Sequence, residues 1–209
     1  AMRRIAHLSD LHFGAEDPVL VEAAVAAVDA ARPHLVVVSG DLTQRARSPQ
    51  FRAARAFLDR LPRPRIVVPG NHDVPLWNVL AHGWTPLAKY RRIVADDLMP
   101  FHVDAEIAAL GLNTARSFTV KDGRLNRAQL AAARTCFADA PAGAVRIVVT
   151  HHPFDRPEAA RADDIVGRAR QAIAAFTALG VDLILSGHLH LTRSGASTAR
   201  YPGSGTLLV

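Results

Sequence analysis

Five short strings spread along this chain are rich in aspartate, histidine and asparagine, which are side chains that bind divalent metal ions. They are Asp10-Leu11-His12, Gly40-Asp41, Gly70-Asn71-His72-Asp73, His151-His152-Pro153 and Gly187-His188-Leu189-His190. A pair of divalent ions about 3.5–4 Å apart needs one ligand that bridges both ions, and a carboxylate does this best. Asp41 is the natural candidate for the bridge. The strings therefore predict a two-metal hydrolytic site.

The spacing within two of the strings has a geometric consequence. Residues i and i+2 share a face in extended chain. Asp10 and His12 are two residues apart, and so are His188 and His190. We expect each pair to direct both side chains to one point.

Short apolar segments precede the strings and must position them. They span residues 5–8, 35–38, 66–68, 145–149 and 181–185, and are rich in β-branched residues. Such runs, closed by Gly, Ser, Thr or Pro, indicate largely buried strands. Each string thus follows the carboxyl end of a strand, which is where open α/β sheets form their binding crevices.

Helical segments are predicted between these strands. They cover residues 19–31, 48–61, 77–95, 127–137 and 165–179, and a last apolar strand is predicted over 206–209 after a loop-like stretch. Asp17, Ser48 and Asn126 are predicted to cap the helices that follow them. The alternation of strands and helices is typical of an α/β fold.

The order and types of these residues resemble the calcineurin-like metallophosphoesterase family over nearly the whole chain. Asp-x-His alone occurs by chance, but Gly-Asn-His-Asp flanked by the other four strings is specific. The resemblance implies a four-layer α/β/β/α sandwich of two facing mixed sheets with flanking helices, in a single domain over residues 1–209. Family members usually continue with further strands, so the completeness of the C-terminal part stays open.

The resemblance also implies which residues bind metal. One ion is assigned to Asp10, His12, Asp41 and His190, and the other to Asp41, Asn71, His151 and His188. The expected cofactors are two divalent or mixed-valence ions of manganese, iron or zinc, since these donors suit all three.

His72 has a different role in the resemblance, because it faces the phosphate and the leaving oxygen instead of a metal ion. As an imidazolium it would protonate the leaving group or stabilise phosphoryl charge. Asn71 is expected to contact the substrate beside it. The metals would lower the pKa of a bridging water, so that a hydroxide attacks in line with the leaving group.

Two features narrow the resemblance to one branch of the family. Protein phosphatases carry an acid three residues after the bridging aspartate, where this chain has Gln44, and lipid A pathway pyrophosphatases carry arginine in place of His72. The better match is the bacterial phosphodiesterase branch that includes cyclic-nucleotide phosphodiesterases. We therefore predict hydrolysis of small phosphodiesters, with cyclic nucleotides as candidates. A phosphomonoesterase or a nuclease is the alternative, and a non-catalytic scaffold is disfavoured because every ligand position is filled.

Composition limits the partners. The chain has 209 residues and a net charge of +6, but its lysines are only Lys89 and Lys121, and its arginines are scattered through Ala-rich helices. That distribution favours solvated helix faces over a nucleic-acid patch.

The single Cys136 suits a reducing compartment, and no run approaches the roughly 20 apolar residues of a membrane span. Because the first predicted strand begins at residue 5, we expect no signal peptide. We predict a cytoplasmic enzyme for small phosphoesters, with a homodimer left open.

Several neighbouring residues have two interpretations. We expect His152 to point away from the site because neighbours at a strand end face opposite sides, and Asp73 to cap a following helix. Trp77 and Trp84 are expected in the core rather than in a base-binding wall. Arg116 is a weaker candidate for a substrate contact.

Overall fold

The computed structural model describes residues 2–75, 85–115, 123–155, 165–190, 194–197 and 200–209. Trp77, Trp84 and Arg116 lie outside these ranges. The elements, in chain order, are β1 (Ile5–Leu8), α1 (Pro18–Ala31), β2 (Leu35–Ser39), α2 (Ser48–Arg60), β3 (Arg65–Val68), a 3-10 turn (Asn71–Asp73), α3 (Ala88–Ile93), β4 (Phe101–Val103), β5 (Ile107–Gly111), α4 (Arg127–Ala138), β6 (Val145–Val149), α5 (Ala169–Ala178), β7 (Leu183–Leu185), β8 (Gly195–Ala196) and β9 (Leu207–Leu208).

The described strands form two sheets. The smaller has the order β1-β2-β3 and is parallel, because α1 and α2 serve as its crossover connections. The larger has the order β4-β5-β6-β7-β9-β8 and is mixed, since β4 and β8 run antiparallel to their neighbours. The two-sheet α/β architecture is as predicted, but among the described strands only the larger sheet is mixed, whereas both sheets were expected to be.

The described residues form four layers, in the order helices, smaller sheet, larger sheet and helices. An apolar core lies between each pair of neighbouring layers. Alternate residues of β2 face opposite ways, so that Val36 and Val38 pack with α1 and α2 while Leu35 and Val37 face the second sheet. The core between the sheets also contains Ile66 and Val68 of β3 with Ile107, Ala109, Ile147, Val149 and Leu185 of the larger sheet. The outer face of the larger sheet packs against α4 and α5. Both sheets are thus covered by helices on their outer sides.

Predicted side-chain caps account for the starts of two of the five described α-helices. Asp17 accepts a hydrogen bond from the Val19 backbone nitrogen, and Asn126 accepts one from Gln129, so both predicted caps are confirmed. Ser48 is not a cap: it lies inside α2, and Arg47 holds the N-cap position. The Gln50 side chain accepts the Arg47 backbone N–H at 3.2 Å instead.

The sequence did not predict β4 and β5, and the segment containing β8 was expected to be a loop. The strand β5 reads Ile-Ala-Ala-Leu-Gly, with alanine and glycine where strands usually carry larger side chains. All five of its residues are buried, and its pairing with β6 and β4 supplies the stability that local propensity lacks.

Among the described residues, no helix has the length and apolarity to cross a membrane.

Candidate metal centre

The loops after β1 and β2 fix each other side by side. The backbone nitrogens of Asp10 and His12 donate hydrogen bonds to the carbonyl oxygens of Gly40 and Asp41 at 3.1 and 2.9 Å. The loops after β6 and β7 are joined in the same way, by the Gly187 nitrogen and the His151 carbonyl at 3.0 Å. Carboxyl ends of parallel strands thus bring side chains distant in sequence to one edge of the sheets.

The backbone of these loops is left-handed rather than extended. Eight described non-glycine residues have positive φ, and five of them are predicted ligands, with values of 54° at Asp10, 48° at His12, 50° at Asp41, 78° at His188 and 53° at His190. Asp10 and His12 do meet, with 4.0 Å between Asp10 Oδ1 and His12 Nε2, but not because extended chain alternates its side chains. The expectation for the second pair is wrong, because His190 groups with Asp10 and His12 whereas His188 groups with His151 and His152. Strained conformations of this kind concentrate at functional sites, where surrounding contacts hold them.

Four of the predicted ligands form the first cluster. The Nε2 atoms of His12 and His190 lie 3.2 Å apart. The Oδ1 atom of Asp10 lies 3.5 Å from His190 Nε2 and 4.0 Å from His12 Nε2, and Asp41 Oδ2 lies 3.9 Å from His12 Nε2. This donor set suits a cation, because it consists of two imidazole nitrogens that face each other and two carboxylates.

The second cluster is more deeply buried. His151 is fully buried, and its Nε2 lies 2.8 Å from Asn71 Oδ1 and 3.4 Å from Asp41 Oδ2. The His188 ring centroid is 5.1 Å from that of His151, and the His188 backbone nitrogen donates to Asp10 Oδ2 at 3.1 Å. Asp41 therefore belongs to both clusters, which is the position that a bridging carboxylate requires.

The electrostatics of the buried pair fit a cation between them. Burial by itself would raise the pKa of Asp41, but His151 and the His72 N–H group together lower it below its usual range. Burial by itself would lower the pKa of His151, but Asp41 and the Ser39 carbonyl help raise it to about 9. With Nδ1 facing that carbonyl at 2.9 Å, Nε2 faces two oxygen atoms, Asn71 Oδ1 and Asp41 Oδ2. A proton or a metal ion satisfies that arrangement.

His72 lies beside the clusters and is oriented by backbone atoms. Its Nδ1 is 2.9 Å from the Gln44 carbonyl oxygen, so Nδ1–H donates there and Nε2 is left for the site. Its ring centroid is 4.7 Å from that of His12, and its backbone nitrogen donates to Asp41 Oδ1 at 2.8 Å. Residue 44 is glutamine rather than an acid. The acceptor for the His72 ring is therefore the main-chain carbonyl oxygen of this residue and not a side-chain carboxylate.

Asp73 is a structural element of the site, and the start of the helix that it was expected to cap lies outside the described residues. It is almost fully buried, and its carboxylate accepts hydrogen bonds from the backbone nitrogens of Leu42, Thr43 and Gly70 and from the Thr43 hydroxyl, at 2.9–3.1 Å. Burial and the charge of Asp41 raise the pKa of Asp73 to about 6. These bonds tie the loop that carries Asp41 to the loop that carries Asn71.

His152 lies against the second cluster and does not point away from it. Its ring centroid is 4.8 Å from that of His188, and its Nδ1 lies 2.8 Å from the Thr114 hydroxyl. Both residues are buried. Sequence reasoning missed Thr114 because it follows β5, the strand that was not predicted.

A glycine is required where the two loops approach most closely. A Cβ atom at Gly70 would overlap Asp41 at its Oδ1 and backbone nitrogen. We expect Gly70→Ala to lower the free energy of unfolding by about 1–3 kcal/mol, because a fixed backbone atom must move. We also expect weaker metal binding, measured by elemental analysis after dialysis. Gly205→Ala is the control, since a Cβ atom there meets nothing within 4 Å. Equal thermal midpoints for the two variants would contradict the close approach.

Proteins of known structure share this fold. Purple acid phosphatase PPD1 from yellow lupin (Lupinus luteus) seeds aligns with a TM-score of 0.69 and 14% identity, over 90% of this chain and 38% of that one. A dimetal phosphatase from Danio rerio aligns with a TM-score of 0.68 and 13% identity, over 99% of this chain and 86% of that one. Phosphopantetheinyl hydrolase (PptH) from Mycobacterium tuberculosis aligns with a TM-score of 0.57 and 15% identity, over 100% and 88%. At these identities the likeness concerns the fold.

Sequence comparison adds a relative and a family. An 80-residue region is 38% identical to glycerophosphodiester phosphodiesterase GpdQ from Enterobacter lignolyticus (strain SCF1), covering 33% of this chain and 29% of that protein. The match thus spans less than a third of that curated relative's length. The family model of the calcineurin-like phosphoesterases matches residues 3–191. That match takes in all five strings and most of the chain, and on this basis the protein belongs to the calcineurin-like phosphoesterase family.

Proposed function

We propose that this protein is a binuclear metal-dependent phosphodiesterase that hydrolyses small phosphodiesters. The observation that carries the proposal is the pair of clusters that share Asp41, with His72 beside them. In this assignment one ion is held by Asp10, His12, Asp41 and His190, and the other by Asp41, Asn71, His151 and His188.

The donor set fits two cations of the first transition series. Imidazole nitrogens and carboxylate oxygens suit manganese, iron and zinc, and metal supply decides among them more than affinity does. Two such ions, when bound, polarise a phosphoryl oxygen and lower the pKa of coordinated water. The left-handed backbone at five of these residues and the Asp73 hydrogen bonds hold the donors in place before any ion binds.

His72 is the proton donor in this proposal. The Gln44 carbonyl accepts from Nδ1, so the protonated ring presents Nε2–H to the departing alkoxide oxygen. Its neighbour Asn71 offers the side-chain amide N–H groups to a phosphoryl oxygen while its Oδ1 faces His151. Water attacks phosphorus on the side opposite the leaving oxygen, and no covalent intermediate with the protein is required.

Two considerations favour a diester over a monoester. In the described part of the chain, no lysine or arginine forms an ion pair with Asp10 or Asp41. A diester carries one negative charge and so needs less positive charge than a monoester dianion. The partial similarity to GpdQ, a glycerophosphodiester phosphodiesterase, points the same way. Cyclic nucleotides are small phosphodiesters and are therefore candidate substrates.

The test is a substrate panel with the purified chain, freed of metal and reloaded in turn with Mn²⁺, Fe²⁺ or Zn²⁺. Bis(p-nitrophenyl) phosphate, p-nitrophenyl phosphate, cyclic AMP and single-stranded DNA are compared at equal concentration. We expect the aryl diester to have a higher kcat/KM than the aryl monoester with at least one metal. Preference for the monoester would replace the proposal by a phosphomonoesterase, and preference for DNA would replace it by a nuclease.

A further inference from the structure

A polar cavity of about 340 Å³ lies at the carboxyl end of β5, beside the candidate metal centre. The described residues that line it come from the segment after β5 and from the starts of α4 and α5. They are Asn113, Ala115, Arg124, Asn126, Gln129 and Arg168. None of these lining residues is acidic, so the cavity carries two guanidinium charges with no countercharge on its described walls.

The two arginines are brought together by backbone pairing. Arg124 and Gly167 form an isolated parallel bridge, and the Gly167 nitrogen donates to the Gly123 carbonyl at 2.6 Å. Arg168 follows with a left-handed φ of 65° and has an exposed side chain. Neither Arg124 nor Arg168 forms an ion pair with another described residue. Two guanidinium groups that line one cavity, with no acidic partner among the described residues, offer an anion charge-assisted hydrogen bonds.

The amide side chains of the cavity are already engaged in holding its wall. Gln129 Nε2 donates to the Asn113 carbonyl at 2.6 Å, and Gln129 Oε1 accepts from the Asn126 nitrogen at 3.0 Å. Asn113 Oδ1 accepts from the Ala115 nitrogen at 2.9 Å. The positive charge available to an anion therefore comes from the guanidinium groups of Arg124 and Arg168, which recognise carboxylate or phosphate in a planar, bidentate manner.

The cavity is one layer of side chains away from the second metal cluster. The Arg124 backbone nitrogen donates to the Thr114 carbonyl at 3.0 Å, and the Thr114 hydroxyl contacts His152 Nδ1 at 2.8 Å. Gly123 packs so closely on the His152 ring that a Cβ atom would overlap it. The His152 ring centroid in turn lies 4.8 Å from that of His188.

We propose that Arg124 and Arg168 form a subsite for a second anionic group of the substrate. This inference rests on the proposed phosphodiesterase function and narrows it. The favoured substrate is a phosphodiester in which one alcohol carries a further carboxylate or phosphate. The ester phosphate occupies the metal centre, and the distal anion reaches the arginine pair around the layer formed by Thr114 and His152.

The test uses matched aryl phosphodiesters with the metal-loaded full chain. One substrate has an alkyl group that ends in a carboxylate, and the other has an alkyl group of the same length that ends in methyl, each made with short, medium and long linkers. We expect wild type to prefer the carboxylate substrate at one linker length. The ratio of the two kcat/KM values should fall about tenfold for each arginine changed to glutamine. Arg127→Gln is the control, since it removes the same charge from an exposed neighbour that does not line the cavity.

Charge reversal separates recognition from a folding defect. Arg168→Glu should reverse the preference, so that a substrate ending in trimethylammonium is used better than the carboxylate substrate. Loss of stability alone would lower both rates together. A ratio that stays the same in the double variant Arg124→Gln/Arg168→Gln, or that falls equally in Arg127→Gln, would overturn the subsite.

A binding measurement does not depend on hydrolysis, so it tests the arginine subsite separately from the proposed phosphodiesterase function. Titration calorimetry with inorganic phosphate, on metal-free protein, should show binding that the double variant weakens at least tenfold and that Arg127→Gln retains. If the aryl diesters are not hydrolysed but this binding is found, the diesterase proposal fails and the arginine site stands as an anion site. If phosphate binds but the carboxylate substrate is not preferred, a free anion is the occupant, and the substrate subsite is refuted.

Discussion

Replacing Asp41 by alanine is expected to lower kcat/KM for an aryl phosphodiester by at least about a thousandfold. The carboxylate belongs to both clusters, so in the proposed assignment its loss would remove a ligand from each ion and the bridge between them. Bound metal ions stabilise the transition state by several kcal/mol as Lewis acids. A loss of about 1.4 kcal/mol of this stabilisation lowers the rate tenfold. Elemental analysis of the dialysed variant should find at most one ion per chain.

The same substitution has a structural effect that must be separated from the metal effect. Asp41 Oδ1 accepts the His72 backbone N–H at 2.8 Å, and its Oδ2 lies 3.4 Å from His151 Nε2. Removing it leaves a buried donor without its partner, which costs about 1–3 kcal/mol. Asp41→Asn is the second variant, because it keeps the volume and an acceptor oxygen but loses the charge. Asp29→Ala, on the exposed side of α1, is the control. Full activity of Asp41→Ala with both ions bound would refute the bridging role.

His72→Ala is expected to retain both ions and to lose turnover by about a hundredfold to ten-thousandfold. The loss should be larger for alkyl phosphodiesters than for p-nitrophenyl ones, because a poor leaving group depends more on protonation of the departing oxygen. The measurement is a plot of log kcat against leaving-group pKa, which should be steeper for the variant than for wild type.

The position of His72 makes metal analysis of this variant informative. His12, Asp41 and His72 offer ligand atoms within 4.8 Å of one another, so the geometry by itself also permits His72 as a ligand. Loss of an ion from His72→Ala would assign it to the metal centre and end its role as proton donor. Equal losses for good and poor leaving groups would point to electrostatic stabilisation of the phosphoryl group. His34→Ala, which removes an exposed imidazole near Arg4, serves as the control.

The elements that carry the strings were predictable because their signals are local. A run such as residues 145–149 is apolar and β-branched, and it forms β6 with the same bounds. The caps at Asp17 and Asn126 depend on atoms two or three residues away, and both formed. The strand β5 was missed because its alanines are stabilised by neighbours on both sides rather than by their own propensity.

The candidate metal-binding side chains and the strand ends that carry them could be predicted from residue types and strand periodicity, because both are properties of neighbouring positions. How those side chains are held depends on contacts between distant parts of the chain. The Gln44 carbonyl that orients His72, the four donors that converge on Asp73, and the packing of His152 on His188 all join segments distant in the chain. The left-handed backbone at Asp10, His12 and Asp41 is likewise stabilised by contacts between loops, which no local pattern encodes.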